Sequence, residues 1–231
     1  MKNNRLFTLL ALMMIFAAGC TKPDEPNLVS GSYNGYDFVD LGLPSGTLWA
    51  ICNVGADTPE GYGDYFAWGE TTPKDTYDWN TYRHFNYSFN QFTKYCSNSN
   101  LGYNGFTDDL TTLEPIDDAA TANWGDGWRT PTQAEWQELL DNTNGTLTNQ
   151  NGVKGWMLTA ANGNSLFLPS AGCRLNSDFC DAGDLSYYWS SSLYITNPFC
   201  ARYIYFNSSD IHMDGHDRFF GQSVRAVRSA K

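Results

Sequence analysis

The chain has 231 residues and a formal net charge of −11, from 25 acidic and 14 basic side chains. A surface this acidic repels phosphate backbones, which argues against nucleic acid as a partner. Only 17% of the residues are charged while 16% are aromatic, a balance typical of a folded chain with a hydrophobic core.

Residues 1–19 have the three parts of a secretion signal. Lys2 and Arg5 form a basic tip, residues 6–18 are apolar apart from Thr8, and small residues precede Cys20. The apolar stretch is short for a membrane span, and a polar, proline-containing segment follows it. We therefore expect cleavage, and the loss of two basic side chains changes the net charge from −11 to −13.

The cleavage site resembles a lipobox, the processing site of bacterial lipoproteins, in which the cysteine becomes the first mature residue and carries acyl chains. Its residues are Ala17, Ala18, Gly19 and Cys20. Several acyl chains give stable anchoring, so the resemblance implies a membrane anchor at Cys20. The alternative is an ordinary secretory signal in which Cys20 is incidental.

Residues 22–25 (KPDE) resemble the tag that directs Bacteroidota lipoproteins to the cell surface. The resemblance implies a lipid-anchored protein of the cell envelope, exposed on the outer membrane. We divide the chain into the signal peptide (1–19), a lipidated cysteine with a flexible tether (20–33) and one domain (34–229).

Five cysteines remain besides Cys20, an odd number that cannot pair completely within one chain. They are Cys52, Cys96, Cys173, Cys180 and Cys200. The short spacing of Cys173 and Cys180 favours a local disulfide between them.

Alternation of apolar and polar residues predicts two early strands, at 36–41 and 47–54, joined by a Pro-Ser-Gly turn. Residues 61–70 are aromatic and contain several glycines, and residues 71–105, rich in Asn, Tyr, Ser and Thr, predict long ordered loops. A helix is predicted over 132–142, where Thr132 and Glu135 have the spacing of a capping box. A shorter helix is predicted over 117–123.

The second half predicts further short strands with tight turns. Their ranges are 156–160, 165–168, 187–194, 201–206, 209–213 and 222–227. Together the elements predict an α+β domain of short twisted antiparallel strands, one or two helices and long ordered loops, with both chain ends in one sheet.

Several sequence blocks, in order, resemble one family, the Fibrobacter succinogenes major paralogous domain of secreted Bacteroidota proteins. The blocks are 39–50 (VDLGLPSGTLWA), 63–70 (GDYFAWGE), 127–139 (GWRTPTQAEWQEL), 188–192 (YWSSS) and 221–228 (GQSVRAVR). This resemblance implies a C-type-lectin-like fold related to the formylglycine-generating enzymes.

We interpret the tryptophans and arginines of these blocks as residues that build the fold, because a motif that builds a fold need not form a functional site. Four tryptophans, Trp49, Trp128, Trp136 and Trp189, are predicted as core anchors. Arg129 and Arg225 are predicted to tie loops by charge-assisted hydrogen bonds. The related oxidases use two closely spaced late cysteines, which this sequence lacks, so we expect no such enzyme activity.

The sequence also contains candidate residues for catalysis and for metal binding. Acidic loop residues could serve a carbohydrate-cleaving envelope enzyme, which needs two carboxylates across a cleft; they are Asp108, Asp109, Asp117, Asp118, Glu135 and Glu138. A structural calcium on Asp117 or Asp118 is an open alternative. His212, Asp214 and His216 alternate, which would place them on one face of a strand as zinc ligands. We expect no catalytic residue and no bound metal.

Residues 194–221 remain as a predicted contact surface for a glycan or protein ligand, since aromatic, Arg and His side chains suit such surfaces. The candidates are Tyr194, Ile195, Phe199, Arg202, Tyr203, Tyr205, His212, His216, Arg218, Phe219 and Phe220. The segment also resembles the variable part of lectin-fold proteins diversified by retroelements, in which Met213 and Gln222 would be fixed positions. A passive structural role in the envelope is the remaining alternative.

Overall fold

The computed structural model describes residues 29–230. The predicted signal peptide, the predicted lipidation site at Cys20 and residues 20–28 of the predicted tether lie outside the described residues. Within residues 29–230 no helix is long and apolar enough to cross a membrane.

The described chain contains many short strands and two α-helices. The strands are β1 (Gly31–Tyr33), β2 (Tyr36–Val39), β3 (Thr47–Asn53), β4 (Phe85–Asn86), β5 (Gln91–Phe92), β6 (Thr143–Gln150), β7 (Val153–Ala160), β8 (Ser165–Pro169), β9 (Cys173–Leu175), β10 (Asp178–Cys180), β11 (Ser186–Leu193), β12 (Cys200–Phe206), β13 (Ile211–Asp217) and β14 (Arg225–Ser229). The helices are α1 (Ala119–Trp124) and α2 (Gln133–Asp141), and three 3-10 turns lie at Tyr87–Phe89, Tyr103–Gly105 and Pro115–Asp117.

The strands form five small antiparallel sheets. The first sheet has the order β1-β2-β3-β14, so both ends of the described chain lie in it, as predicted. Two three-stranded sheets, β6-β7-β8 and β11-β12-β13, follow the chain order, and the pairs β4-β5 and β9-β10 are two-stranded.

The predicted α+β class is wrong, because the fold is β-rich: strands account for 41% of it and helices for 12%. Part of the difference is β6, whose sequence (TNGTLTNQ) has no apolar alternation and predicted no strand. It pairs with β7 along its whole length, through backbone hydrogen bonds that do not depend on apolar side chains. A β-rich fold leaves the lectin-like resemblance as a prediction.

The two predicted helices are present. Thr132 accepts from the backbone N–H of Glu135 (3.2 Å), and Glu135 Oε2 accepts from the N–H of Thr132 (2.9 Å), which is the predicted capping box of α2. Asp118 caps α1 by accepting from the N–H groups of Ala120 and Thr121. These bonds satisfy N–H groups that have no partner inside a helix.

Three hydrophobic clusters make up the core. The first surrounds Trp49 and Trp136, whose ring centroids lie 4.7 Å apart. The second contains Trp68, Trp128 and Trp189, and the third contains Tyr77, Tyr82 and Phe92. All four tryptophans predicted as anchors are at most 1% exposed.

The two arginines that were predicted to tie loops, Arg129 and Arg225, do join separate segments. Arg225 is fully buried and donates to the carbonyls of Ala50 and Ile51 and to Asn53 Oδ1. Arg129 donates to both carboxylate oxygens of Glu135, one of them at 2.6 Å. Charge-assisted bonds of this kind are about twice as strong as neutral ones.

The predicted disulfide between Cys173 and Cys180 is present and joins β9 to β10. Cys52, Cys96 and Cys200 are free. Burial raises the pKa of Cys200 to about 12, and the nearby Asp217 adds to this shift. A thiol held protonated in this way is a poor nucleophile.

We expect the disulfide to stabilise the fold by about 2 kcal/mol, because it restricts a short loop of the unfolded chain. Urea unfolding with and without a reducing agent measures this difference. The double variant Cys173→Ser/Cys180→Ser should unfold identically in both conditions. A reductant effect of equal size in that variant would assign the stabilisation elsewhere.

Candidate functional site

One face of the sheet β11-β12-β13 carries a row of aromatic side chains. Tyr187 on β11 lies opposite Tyr205 on β12, which lies opposite His212 on β13. Side chains two residues apart share a face of a strand, so Tyr203 and His216 lie on the same face. Phe220, just after β13, completes the group. We call these six residues the aromatic strip.

The rings of the aromatic strip contact one another continuously across the three strands. The centroid of Tyr187 lies 5.3 Å from that of Tyr205, and Tyr205 lies 4.9 Å from His212. Tyr203 lies 5.1 Å from His216, which stacks on Phe220 at 3.9 Å. Aromatic pairs at these distances add to the energy of area burial, so the strip is a preorganised surface.

The aromatic strip lies where the second core cluster reaches solvent. Tyr203 belongs to that cluster and is 8% exposed, whereas Tyr187, Tyr205 and Phe220 pack against it and are half-buried. The His212 side chain is 42% exposed. Tyr203 is thus buried at the base of the strip, whereas the other five rings have packed neighbours on one side and partial solvent access on the other.

Carboxylate and amide groups contact the polar atoms of the rings in the strip. The Tyr187 hydroxyl donates to Asp181 Oδ2 (2.9 Å), and His212 Nδ1 lies 3.0 Å from Asp210 Oδ2. Gln222 Nε2 lies 2.7 Å from His216 Nδ1. Asp214, between the two histidines on β13, is exposed.

The central part of the strip is uncharged near neutral pH. Burial lowers the pKa of His216 to about 4, and burial raises the pKa of Tyr203 to about 12. The pKa of Tyr187 is raised as well, mainly by burial and secondly by the hydrogen bond to Asp181. Such a surface offers neutral ring faces together with hydroxyl and imidazole groups, which suits contact with ligands and not proton transfer.

Five of the residues predicted from the sequence lie on the aromatic strip: Tyr203, Tyr205, His212, His216 and Phe220. Arg202 lies on the opposite face of β12, where its guanidinium covers the ring of Tyr194 at 3.8 Å. Ile195 is 67% exposed in the loop between β11 and β12. These three are at the surface but outside the strip.

Three predicted contact residues belong to the core instead. Arg218 is fully buried, donates to the Tyr95 carbonyl at 2.7 Å and lies over the ring of Phe92. Phe219 and Phe199 pack against Trp79 in the third cluster. Arg218 and Phe219 are buried and Phe199 is half-buried, because the aromatic residues of 194–221 lie on both faces of β12 and in the turn after β13.

Tyr187 is the member of the strip that the sequence analysis missed. It lies before the segment 194–221, and its place beside Tyr205 depends on the register of β11 against β12. Met213 and Gln222, expected as fixed positions, lie inward: Met213 packs on the first cluster, and Gln222 is fully buried.

Five of the six candidate acidic residues for an enzyme are engaged in structural contacts, whereas Asp109 is exposed. Asp108 accepts from the N–H groups of Tyr95 and Cys96, and Glu138 on α2 accepts from Ser45. Burial by itself raises the pKa of Asp117, but hydrogen bonds from Lys94 and Tyr95 hold that pKa below its usual range. Asp118 and Glu135 cap the two helices.

No group of three or more potential ligands among residues 29–230 is arranged to hold a metal ion. His212, Asp214 and His216 share a face of β13 as expected, but His212 contacts Asp210 and His216 contacts Gln222. The oxygens of Asp117 and Asp118, the calcium candidates, accept hydrogen bonds from the protein.

No family model matches the chain, and no curated protein and no solved structure matches it either. The resemblance to the Fibrobacter domain therefore stays a prediction that depends on the sequence blocks.

We expect the fold to lose stability as the pH falls from about 6.5 to about 4 because of His216. The unfolded chain binds a proton on this histidine near pH 6.5, whereas the folded chain does so only near pH 4, so acid favours unfolding. The shift corresponds to a loss of about 3 kcal/mol. Urea unfolding at several pH values measures it.

The variant His216→Gln should show a flatter pH dependence in this window, and His212→Gln serves as the matched control on the same strand. Burial also lowers the pKa of His84, so part of the slope remains in every variant. An unchanged slope in His216→Gln would contradict the assignment.

Proposed function

We propose that the chain is a lipid-anchored protein of the cell surface that binds a glycan or protein ligand through the aromatic strip. The observation that carries the proposal is the continuous contact of six rings across three strands, half-buried on a packed sheet. Aromatic side chains offer large contact area at low entropic cost, because they have few rotatable bonds and are already ordered by packing.

The polar rim of the strip supports a ligand with many hydroxyl or amide groups. Asp181, Asp210 and Asp214 are carboxylates beside or between the rings, and they can accept hydrogen bonds from such a ligand. Interfaces of this type combine a central aromatic patch with polar groups at its edge.

Two alternatives receive less support. An enzyme that cleaves carbohydrates needs two free carboxylates across a cleft, whereas most of the candidate carboxylates here have structural partners. A passive structural protein would have residues 194–221 buried throughout, whereas Tyr205, His212 and Phe220 reach solvent.

We expect the double variant Tyr205→Ala/His212→Ala to lose at least about tenfold in ligand affinity, since central aromatic contacts each contribute about 1–2 kcal/mol. A glycan and protein array probed with the native chain identifies the ligand, and titration compares the variants. Tyr87→Ala is the matched control, because Tyr87 is an aromatic residue 57% exposed outside the strip.

Near-UV circular dichroism must show that both variants are folded. Equal affinity of the native chain and the double variant, or absence of any ligand on the array, would contradict the role of the strip.

The anchor is tested separately. In cells fed a labelled fatty acid, the native chain should incorporate the label and sediment with membranes, whereas Cys20→Ala should remain unlabelled, because the acyl chains attach to that sulfur. The variant Cys52→Ala should keep the label. Labelling of Cys20→Ala would contradict the proposed anchor.

A further inference from the structure

A hollow of about 460 Å³ opens beside the first sheet, away from the aromatic strip. Tyr33 and Arg228 line it from the sheet, Arg129 and Asp126 line it from the loop after α1, and Thr121 and Ser229 add hydroxyl groups. None of the strip residues lines this hollow. Its size is within the range of ordinary small-ligand sites.

The guanidinium of Arg228 faces this hollow without an acidic partner. It lies 3.9 Å from the ring centroid of Tyr33 and 5.4 Å from that of Phe38. No carboxylate of residues 29–230 lies within 4.0 Å of it, although the chain has 25 acidic residues. Its buried Nε has no hydrogen-bond partner in that part of the chain.

The two outer nitrogens of the Arg228 guanidinium have no acceptor among residues 29–230 either, but unlike Nε they are not buried, so they can donate to a ligand in the hollow. Three other arginines also have a buried donor without a partner, namely Arg174, Arg218 and Arg225. Arg218 and Arg225 are fully buried in the core, and the Arg174 guanidinium donates to the carbonyls of Asp75 and Ser177. Of the four, Arg228 combines a place at the hollow with outer nitrogens that have no protein acceptor.

The other charged residues that line the hollow indicate which type of ligand fits it. Arg129 is neutralised by its two bonds to Glu135, which leaves Arg228 as the cation available to an anion. Asp126 is exposed on the same wall as Arg129 and accepts hydrogen bonds. A fitting ligand therefore combines one oxyanion with hydroxyl groups that can donate.

The hollow also has room for more than a simple anion. A second hollow of about 260 Å³ shares Pro115, Thr121 and Arg129 with the first. The two hollows therefore adjoin at these three residues. An extended polyol fits this shape better than a small ion does.

We infer that this hollow is a second binding site, which binds the carboxylate of an acidic saccharide of the uronic acid type. Arg228 donates two parallel hydrogen bonds to the carboxylate, since the guanidinium fork matches its geometry. Asp126 accepts from the sugar hydroxyl groups, and the ring of Tyr33 supports the Arg228 side chain from below. The inference does not depend on the aromatic strip, so either proposal can fail alone.

The test uses the full chain in detergent micelles and titration calorimetry with D-glucuronate, D-glucose and acetate. Glucuronate should bind at least about tenfold more tightly than glucose, which lacks the carboxylate, and than acetate, which lacks the hydroxyl groups. The variant Arg228→Gln should lose that preference. Asp126→Asn keeps one acceptor oxygen for the sugar hydroxyl groups and removes a like charge from the hollow, so it should bind glucuronate more tightly.

The matched control is Lys154→Gln, which changes the net charge by the same amount at a surface ion pair with Asp184 outside the hollow; it should bind as the native chain does. Equal affinity for glucuronate and glucose would overturn the inference. Equal losses of glucuronate affinity in Arg228→Gln and Lys154→Gln would also overturn it, because the effect would then come from the overall charge. Acetate binding as tight as that of glucuronate would overturn the saccharide part.

Thermal unfolding will show whether Arg228→Gln is folded. If it is not, glucuronate binding by Asp126→Asn tests the inference instead. Asp126 is exposed, and its replacement leaves the core intact. Unchanged or weaker glucuronate binding by Asp126→Asn would overturn the inference.

Discussion

Three indole N–H groups fix the position of β11, and the candidate site depends on that strand. Trp136 donates to the Trp189 carbonyl (3.2 Å), Trp68 donates to the Ser190 carbonyl (2.9 Å), and Trp189 donates to the Phe66 carbonyl (2.8 Å). Each bond satisfies the N–H of a large buried ring with a backbone carbonyl from another part of the chain. Such bonds make a strand rigid because the buried indole N–H has no favourable alternative partner.

The rigidity of β11 is transmitted to the aromatic strip through sheet pairing. β12 pairs with β11 and β13 pairs with β12, so the rings of Tyr187, Tyr205 and His212 are ordered by a strand that is itself held in the core. A ligand that binds these rings would need little further ordering of the protein. Low ordering cost is a general reason why preorganised surfaces bind well.

Local signals in the sequence predicted the elements that depend on local chemistry. Thr132 and Glu135 marked the start of α2, the spacing of Cys173 and Cys180 predicted their disulfide, and the early and late strands were placed in one sheet. Each of these depends on residues close together or on strong strand patterns. The fold class was wrong in part because β6, which has no apolar alternation in its sequence, is held mainly by pairing with β7.

The candidate site was predicted only in part, for a related reason. Aromatic residues occur throughout 194–221, on both faces of β12 and in the turn after β13. Composition therefore could not distinguish Tyr205 at the surface from Phe219 in the core. Arg218 was counted as a contact residue because arginine is usually exposed. Its burial depends on the carbonyls of Lys94 and Tyr95, more than a hundred residues away in the chain.

The position of β1 has a mechanical consequence. This strand has three residues, lies at the edge of its sheet and pairs only with β2. Any tension applied to the chain ahead of residue 29 therefore reaches the domain through this one short strand. Antiparallel bonds at a sheet edge give way one after another under such a pull. Because the aromatic strip and the three indole bonds belong to other elements, β1 can detach while the sheet β11-β12-β13 keeps its contacts.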